Sequence, residues 1–179
     1  RISYGVTGNQ DGIGEYKSLS ILGVGNDSYY DPATDSWSLA YSPTQNANPD
    51  LKWESTAQFN VGLDFTIFKG LSGSFEYYSK MTSDLLYTYE VPQPPYLVGT
   101  MLANVGDLSN KGYEITLNAD IINNDNFTWS ANLTFAQNKQ KIEKLSNDQY
   151  DTNGVIYSGS LHGLAGMSGQ YSQVIAEGY

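Results

Sequence analysis

From residue 58 to 67 the chain alternates without a fault: Phe59, Val61, Leu63, Phe65 and Ile67 are apolar, while Gln58, Asn60, Gly62, Asp64 and Thr66 between them are not. Successive side chains of an extended strand point to opposite faces, so this stretch has one greasy and one polar face only if it is a strand. A helix would scatter both sets around its axis. The split recurs as Tyr113, Ile115, Leu117, Ala119 and Ile121 against Glu114, Thr116, Asn118 and Asp120. It recurs again as Phe127, Trp129, Ala131, Leu133 and Phe135 against Thr128, Ser130, Asn132 and Thr134. Residues 71–79 are a weaker case, and Ile2, Tyr4 and Val6 alternate with Ser3, Gly5 and Thr7 at the start.

The connections between these segments have two lengths. Lys69-Gly70 and Asn123-Asn124-Asp125-Asn126 carry the chemistry of tight hairpin turns. Residues 8–54, 81–111 and 139 onward are long links rich in Gly, Asn, Asp, Ser, Pro and Tyr, far longer than ordinary connections in a compact domain. Short turns at one end and long loops at the other is the layout of bacterial outer-membrane barrels, with the loops extracellular. The expected fold is all-β: an antiparallel transmembrane β-barrel, of which this chain supplies about five strands running up and down. A short helical turn around residues 139–145 stays open at this level.

Composition narrows the partners. Nine Lys plus Arg against nineteen Asp plus Glu, a net charge of −10, excludes nucleic acid, whose phosphates need a clustered basic surface. No run of apolar residues reaches the 18 or more that a membrane helix needs, whereas a membrane strand needs only about 9 to 11 alternating residues. No charge occupies the apolar face of the three clean strands, where Arg or Lys at the bilayer midplane costs roughly 2–4 kcal/mol. Phe65, Phe68, Phe127 and Trp129 near the hairpin ends suit an aromatic girdle in contact with outer-membrane lipid. Five strands cannot close a barrel and lipid forbids open edges, so the chain, which opens inside a strand, reads as residues 1–179 of a larger barrel. Alternation also fits a soluble β-sandwich, here a carbohydrate-binding module, and periodicity alone does not separate the two. In the barrel reading the apolar residues face lipid. Gln58, Asn60, Asp64, Glu114, Asn118 and Asn132 then face the lumen.

The residues offer little catalytic chemistry. Gly23-Val24-Gly25 lacks the third glycine of a dinucleotide loop, and Gly163, Gly166 and Gly169 are not followed by Lys-Ser or Lys-Thr. The pairs Asp31 with Asp35 and Asp148 with Asp151 read as solvated loop acids rather than a hydrolase's two carboxyls on a rigid frame. Gln149 stands where a calcium loop needs its first acid, and Ser160 where it needs the closing Glu. His162 is the only histidine, so no two-histidine metal site forms, and without cysteine there is no thiolate site. The expectation is no enzyme, no metal and no cofactor. The sequons at Asn126 and Asn132 fall on a membrane strand and read as chance. Loop aromatics are the remaining ligand candidates: Tyr29, Tyr30, Trp37 and Tyr41 in the first loop, Tyr87, Tyr89 and Tyr96 in the second. Sugar rings and peptide side chains stack on such faces, although tyrosine serves a loop's own core equally well. Pro92, Pro94 and Pro95 stiffen the second loop.

Several segments resemble the SusC/RagA-like TonB-dependent transporters of the Bacteroidetes. NVGDLSNKGYEITL at residues 104–117 is the strongest, supported by RISYGVTGNQDGIGEY at 1–16, NPDLKWEST at 48–56, EYYSKMTSDLLY at 76–87 and WSANLTFAQNKQKI at 129–142. The resemblance implies a barrel of about 22 strands with a plugged lumen. It further implies energised import of glycans or peptides, a SusD-like surface lipoprotein closing over the barrel as a lid, and a TonB complex pulling on the plug. The plug, the TonB-contacting segment, the N-terminal accessory domain and the closing strands have no counterpart in these residues.

Overall fold

A computed structural model describes residues 1–68, 70–146, 152–161, 163 and 166–179, with the side chains of 25–27 left aside. Lys69, Asp148, Gln149, Asp151 and His162 lie outside the described residues. Among the described residues there are nine strands: β1 (Ile2–Asn9), β2 (Ile21–Asp31), β3 (Ser36–Gln45), β4 (Glu54–Phe68), β5 (Leu71–Glu90), β6 (Thr100–Asn124), β7 (Phe127–Lys144), β8 (Val155–Ser160) and β9 (Tyr171–Ala176). Five form one open antiparallel sheet in the order β1-β4-β5-β6-β7, and β2-β3 and β8-β9 are separate hairpins. The fold is all-β, and the clean alternating segments of the sequence lie inside β4, β6 and β7.

Register keeps the alternation in phase across strands. Leu63 stands opposite Phe75, Phe75 opposite Ile115, and Ile115 opposite Phe135. One step toward the tight turns the row is Phe65, Gly73, Leu117 and Leu133. A Cβ at Gly73 would lie 2.5 Å from the Thr116 carbonyl and 2.8 Å from the Phe65 ring. Glycine therefore leaves the gap that Phe65 and Leu117 fill from the flanking strands. Toward the long-loop end, the first charges on this face are Lys111 and Lys139, directly opposite each other. Tyr113 to Ile121 spans eight steps, or about 27 Å at ~3.4 Å each, and about 21 Å of height at a tilt of ~40°. That is close to the ~25 Å apolar band of an outer-membrane barrel.

The apolar face does not form a conventional core. Leu63, Ile67, Phe68, Leu133 and Phe135 are exposed, Leu133 at 61%. The buried cluster lies instead where β5 and β6 run past this band: Tyr89, Met101, Ala103 and Val105, with Val91 and Tyr96 packed on it.

The long links are more ordered than the sequence suggests. Residues 81–111 are largely strand, because β5 runs to Glu90 and β6 starts at Thr100. Register shifts between Thr82 and Leu86 break the phase there, and Asp84 takes a φ of 62°. β7 continues to Lys144, so strand replaces the helical turn left open at residues 139–145. Paired with β6 from Asn124↔Phe127 to Asp107↔Lys144, this segment has an edge to add to, which outweighs any local helical tendency. The first long link contains β2-β3 and the last contains β8-β9, so the expected count of about five strands holds for the main sheet alone. Of the tight turns, Asp125-Asn126 joins β6 to β7, and Gly70, with φ of 100°, leads into β5 as a turn there demands.

Candidate functional site

Two regions gather chemistry: the polar face of the main sheet, and its long-loop end. Gln58, Asn60, Asp64, Glu114, Asn118 and Asn132 all share the polar face, because between the register shifts at Thr66/Phe68, Thr82/Leu85 and Asp120/Ile122 the even positions of β4 to β7 face the same way. Arg1 joins them and donates to Asp64 Oδ1 at 2.7 Å and to Glu76 Oε1 at 2.6 Å. Glu76 stands directly opposite Glu114, a like-charge pair that repels, and the Arg1 guanidinium offsets it from one side. Gln58 donates to Asn60, Asn60 to Ser3, and Asn132 to Asn118 at 2.6 Å across the β6-β7 pair. Lys80 sits 5.5 Å above the Tyr78 ring. Arg1, Ser3, Gln58, Asn60, Glu76, Tyr78, Lys80 and Glu114 line a recess of about 570 Å³ floored by β1, β4 and β5.

Sequence reasoning named the β4, β6 and β7 members of this face; in the weaker alternation of residues 71–79 it set Glu76 and Tyr78 opposite Phe75 and Tyr77 without giving them a lumen role, and it did not name Arg1 or Lys80. The signal was present: once β5 is taken as a strand, Ser74, Glu76, Tyr78 and Lys80 are its non-lipid parity.

At the loop end the aromatic candidates fall into two groups. Tyr30 and Trp37 are cross-strand partners on β2-β3 with ring centroids 5.6 Å apart. Trp37, 70% exposed, shares its face with Leu39 and Tyr41, whereas Tyr29 points to the other side. The Tyr30 hydroxyl donates to Asp35 Oδ1 at 2.5 Å, which holds the phenol protonated above its ordinary range. Tyr87 and Tyr89 lie on β5 rather than in a loop, edge to face at 5.3 Å. Tyr89 is 4% exposed at the centre of the buried cluster, with Tyr96 packed against it. Burial pushes its phenol up to about 12, and no stacking face is left open there.

What holds this end together was not anticipated. β7 pairs with β6 only as far as Asp107, so beyond that point β6 has β5 on one side and no strand on the other. Side chains from residues 46–54 take over. Asn46 donates to the Val98 and Thr100 carbonyls and accepts from the Leu97 and Val98 amides. Asn48, itself buried, donates to Leu102 O at 2.8 Å. Asn104 donates to Lys52 O and Asp84 O, both at 2.7 Å, and accepts from Lys52 N at 2.9 Å. Glu54 accepts from the Leu86 amide at 3.0 Å, and Lys52 pairs with Asp84 at 2.8 Å. Asn104 and Glu54 thus replace the ladder bonds lost at the β5 bulge. This gives Asn48, Lys52, Glu54 and Asn104, drawn from two of the segments that carry the family resemblance, a physical task.

Comparison with known proteins agrees with this geometry. Residues 8–171 match the family described as TonB dependent receptor-like, beta-barrel. TonB-dependent receptor P3 of Formosa agariphila is 40% identical over 147 residues, covering 81% of this chain and 14% of that protein. TonB-dependent receptor SusC of Bacteroides thetaiotaomicron is 32% identical over 147 residues, covering 82% and 15%. The structure of the RagAB peptide importer in its closed-closed state superposes with a TM-score of 0.70 at 28% identity, over 99% of this chain and 17% of that one. The chain therefore spans about one seventh of the length of the curated relatives it matches. On its alternating strands, its sheet order and these matches, the chain belongs to the SusC/RagA-like TonB-dependent receptors and carries part of their outer-membrane β-barrel.

Proposed function

We propose that the chain forms wall strands and surface loops of an energised importer that takes up glycan or peptide nutrients across the outer membrane. One observation carries this reading: the apolar parity of the main sheet is exposed or half-buried, never buried, and free of charge over the height of a bilayer, while the buried cluster lies beyond it. In a soluble sandwich the same residues would meet a second sheet, and no second sheet packs on that face among the described residues. The polar parity with Arg1, Gln58, Asn60, Asp64, Glu76, Glu114, Asn118 and Asn132 then lines the lumen, in contact with the plug or with passing substrate. The long-loop end lies outside the cell and meets a SusD-like surface lipoprotein that closes over the barrel as a lid. Energy enters through a TonB complex acting on the plug. The relatives, named as receptors and importers, favour transport over catalysis.

The test is uptake of labelled oligosaccharides and labelled oligopeptides by cells carrying the full-length protein, with and without TonB. TonB-dependent accumulation of either class supports the reading. Equal uptake without TonB, or recovery of the full-length protein in the soluble fraction, overturns it.

A further inference from the structure

At the long-loop boundary of the apolar face, one row of side chains runs Tyr4, Phe59, Ser79, Lys111 and Lys139 across the five strands of the main sheet. We infer that Lys111 and Lys139 form a docking site for the phosphate-bearing headgroup of an outer-leaflet lipid, whose acyl chains lie along the apolar face beside them. The inference rests on the importer reading above, in which this face meets lipid and the long-loop end lies outside the cell.

The first observation is charge. Register sets the two lysines directly opposite each other on β6 and β7, and both are exposed. Like charges so placed repel, and neither lysine has an ion-pair partner among the described residues. The next charges toward the loops come in opposite-sign pairs: Lys141 meets Glu143 Oε2 at 2.5 Å, and Lys144 stands opposite Asp107. Lys111 feels the Glu143 carboxylate at a distance, but the other oxygen of that group accepts from the Ser109 hydroxyl at 2.7 Å. Two unmatched ammonium groups therefore stand side by side in a chain of net charge −10. A phosphomonoester carries about −1.5 to −2 charge at pH 7. Placed between the lysines, it turns their repulsion into charge-assisted hydrogen bonds from both.

The second observation is the order of chemistry along the strands, which separates a lipid-borne phosphate from a free one. One step toward the tight turns the row is Ile2, Val61, Tyr77, Tyr113 and Gln137, where the Tyr113 hydroxyl donates to Gln137 Oε1. The step after that is Leu63, Phe75, Ile115 and Phe135, and the Phe135 ring lies 6.0 Å from that of Tyr113. Cations, then hydroxyl and amide, then hydrocarbon is the sequence in which a membrane lipid presents its headgroup, its linkage and its acyl chains. A soluble anion has no use for the last two rows.

The experiment is photo-crosslinking of the full-length protein in phosphatidylcholine bilayers. A p-benzoylphenylalanine replaces Ser79, which stands opposite Lys111 on the same face. The bilayers carry either monophosphoryl lipid A or the same glycolipid with its phosphate removed. The expected result is at least fivefold more cross-linking to the phosphorylated lipid, falling to the dephosphorylated level in Lys111→Gln/Lys139→Gln, kept in Lys139→Arg, and unchanged by excess inorganic phosphate. Circular dichroism of each variant establishes that the barrel is folded. Equal cross-linking of the two glycolipids, undiminished cross-linking in the folded double variant, its loss in folded Lys139→Arg, or displacement by inorganic phosphate overturns the inference. Each of these leaves the importer reading standing, because TonB-dependent uptake is measured separately.

Discussion

Replacing Leu133 by Arg separates a lipid-facing wall from a soluble sheet by a number. Leu133 lies on β7 midway between Phe127, next to the tight turn, and Lys139, the first charge on the apolar face. Six residues on either side at ~3.4 Å, tilted by ~40°, place it about 15 Å from each boundary, hence at the bilayer midplane. An arginine there costs roughly 2–4 kcal/mol. In water the same change at a side chain already 61% exposed would fall within about 0.5 kcal/mol, as surface substitutions do. Thr134→Arg, one residue along and on the polar parity, is the internal control and is expected to stay within about 0.5 kcal/mol for the same reason. The assay is denaturant unfolding of the full-length protein in phospholipid bilayers, with the midpoint and slope of each variant compared to the parent. A Leu133→Arg cost no larger than that of Thr134→Arg would refute the reasoning.

Further outcomes follow from the loop end and from the sheet. Asn104→Ala strips two main-chain carbonyls and one amide of their partner and is expected to destabilise by about 1–3 kcal/mol, with hydrogen exchange accelerating at Lys52 before the sheet as a whole. Gly112→Ala puts a Cβ 2.5 Å from Gln137 O and 2.7 Å from the Tyr78 ring, so a loss of about 1–3 kcal/mol is expected, measurable by thermal unfolding and not recovered by trimming Tyr78, since the Gln137 carbonyl cannot yield. Glu143, beyond the apolar band, is held below its ordinary carboxylate range by hydrogen bonds from Lys141 and then Ser109. Because its folded pKa is depressed, its contribution is present above the unfolded carboxylate range and disappears as pH falls through the lowered value. Ser109→Ala should shrink the part of the acid loss of stability due to Glu143, read as a smaller drop in unfolding midpoint between pH 7 and pH 3.

How legible the fold was depends on what each strand faces. In the proposed barrel, β4, the tight-turn half of β6, and β7 have lipid on one side and a polar surface on the other, so Phe59 to Ile67 and Phe127 to Phe135 display alternation with nothing to blur it. Past Lys111 and Lys139 that contrast ends. At Leu85 to Glu90 and Thr100 to Ser109 the register shifts and a packed cluster covers Tyr89, Met101 and Ala103, so the period-two signal loses phase and the segment reads as loop. β2-β3 was legible in part, since Trp37, Leu39 and Tyr41 alternate with Ser36, Ser38 and Ala40. Its turn-rich flanks concealed that. At the polar face, Gln58, Asn60, Asp64, Glu114, Asn118 and Asn132 follow from parity alone, whereas the Arg1 bridge to Asp64 and Glu76 needs three strands in register, which no local pattern encodes. Asn46, Asn48 and Asn104 were equally out of reach. An asparagine standing in for a missing strand is visible only once it is known where β7 stops.

The claim beneath all of this is that alternate residues of these strands look out at hydrocarbon. The chain has no cysteine, so single nitroxide labels introduced at positions 131 to 136 report each site without interference from this segment. Collision with oxygen, which concentrates in lipid, and with a water-soluble nickel chelate is then measured in bilayers for each label. The account predicts high oxygen and low nickel accessibility at 131, 133 and 135, and lower oxygen accessibility at 132, 134 and 136. Oxygen accessibility that is uniformly low at both parities, as in the interior of a water-soluble body, would contradict it.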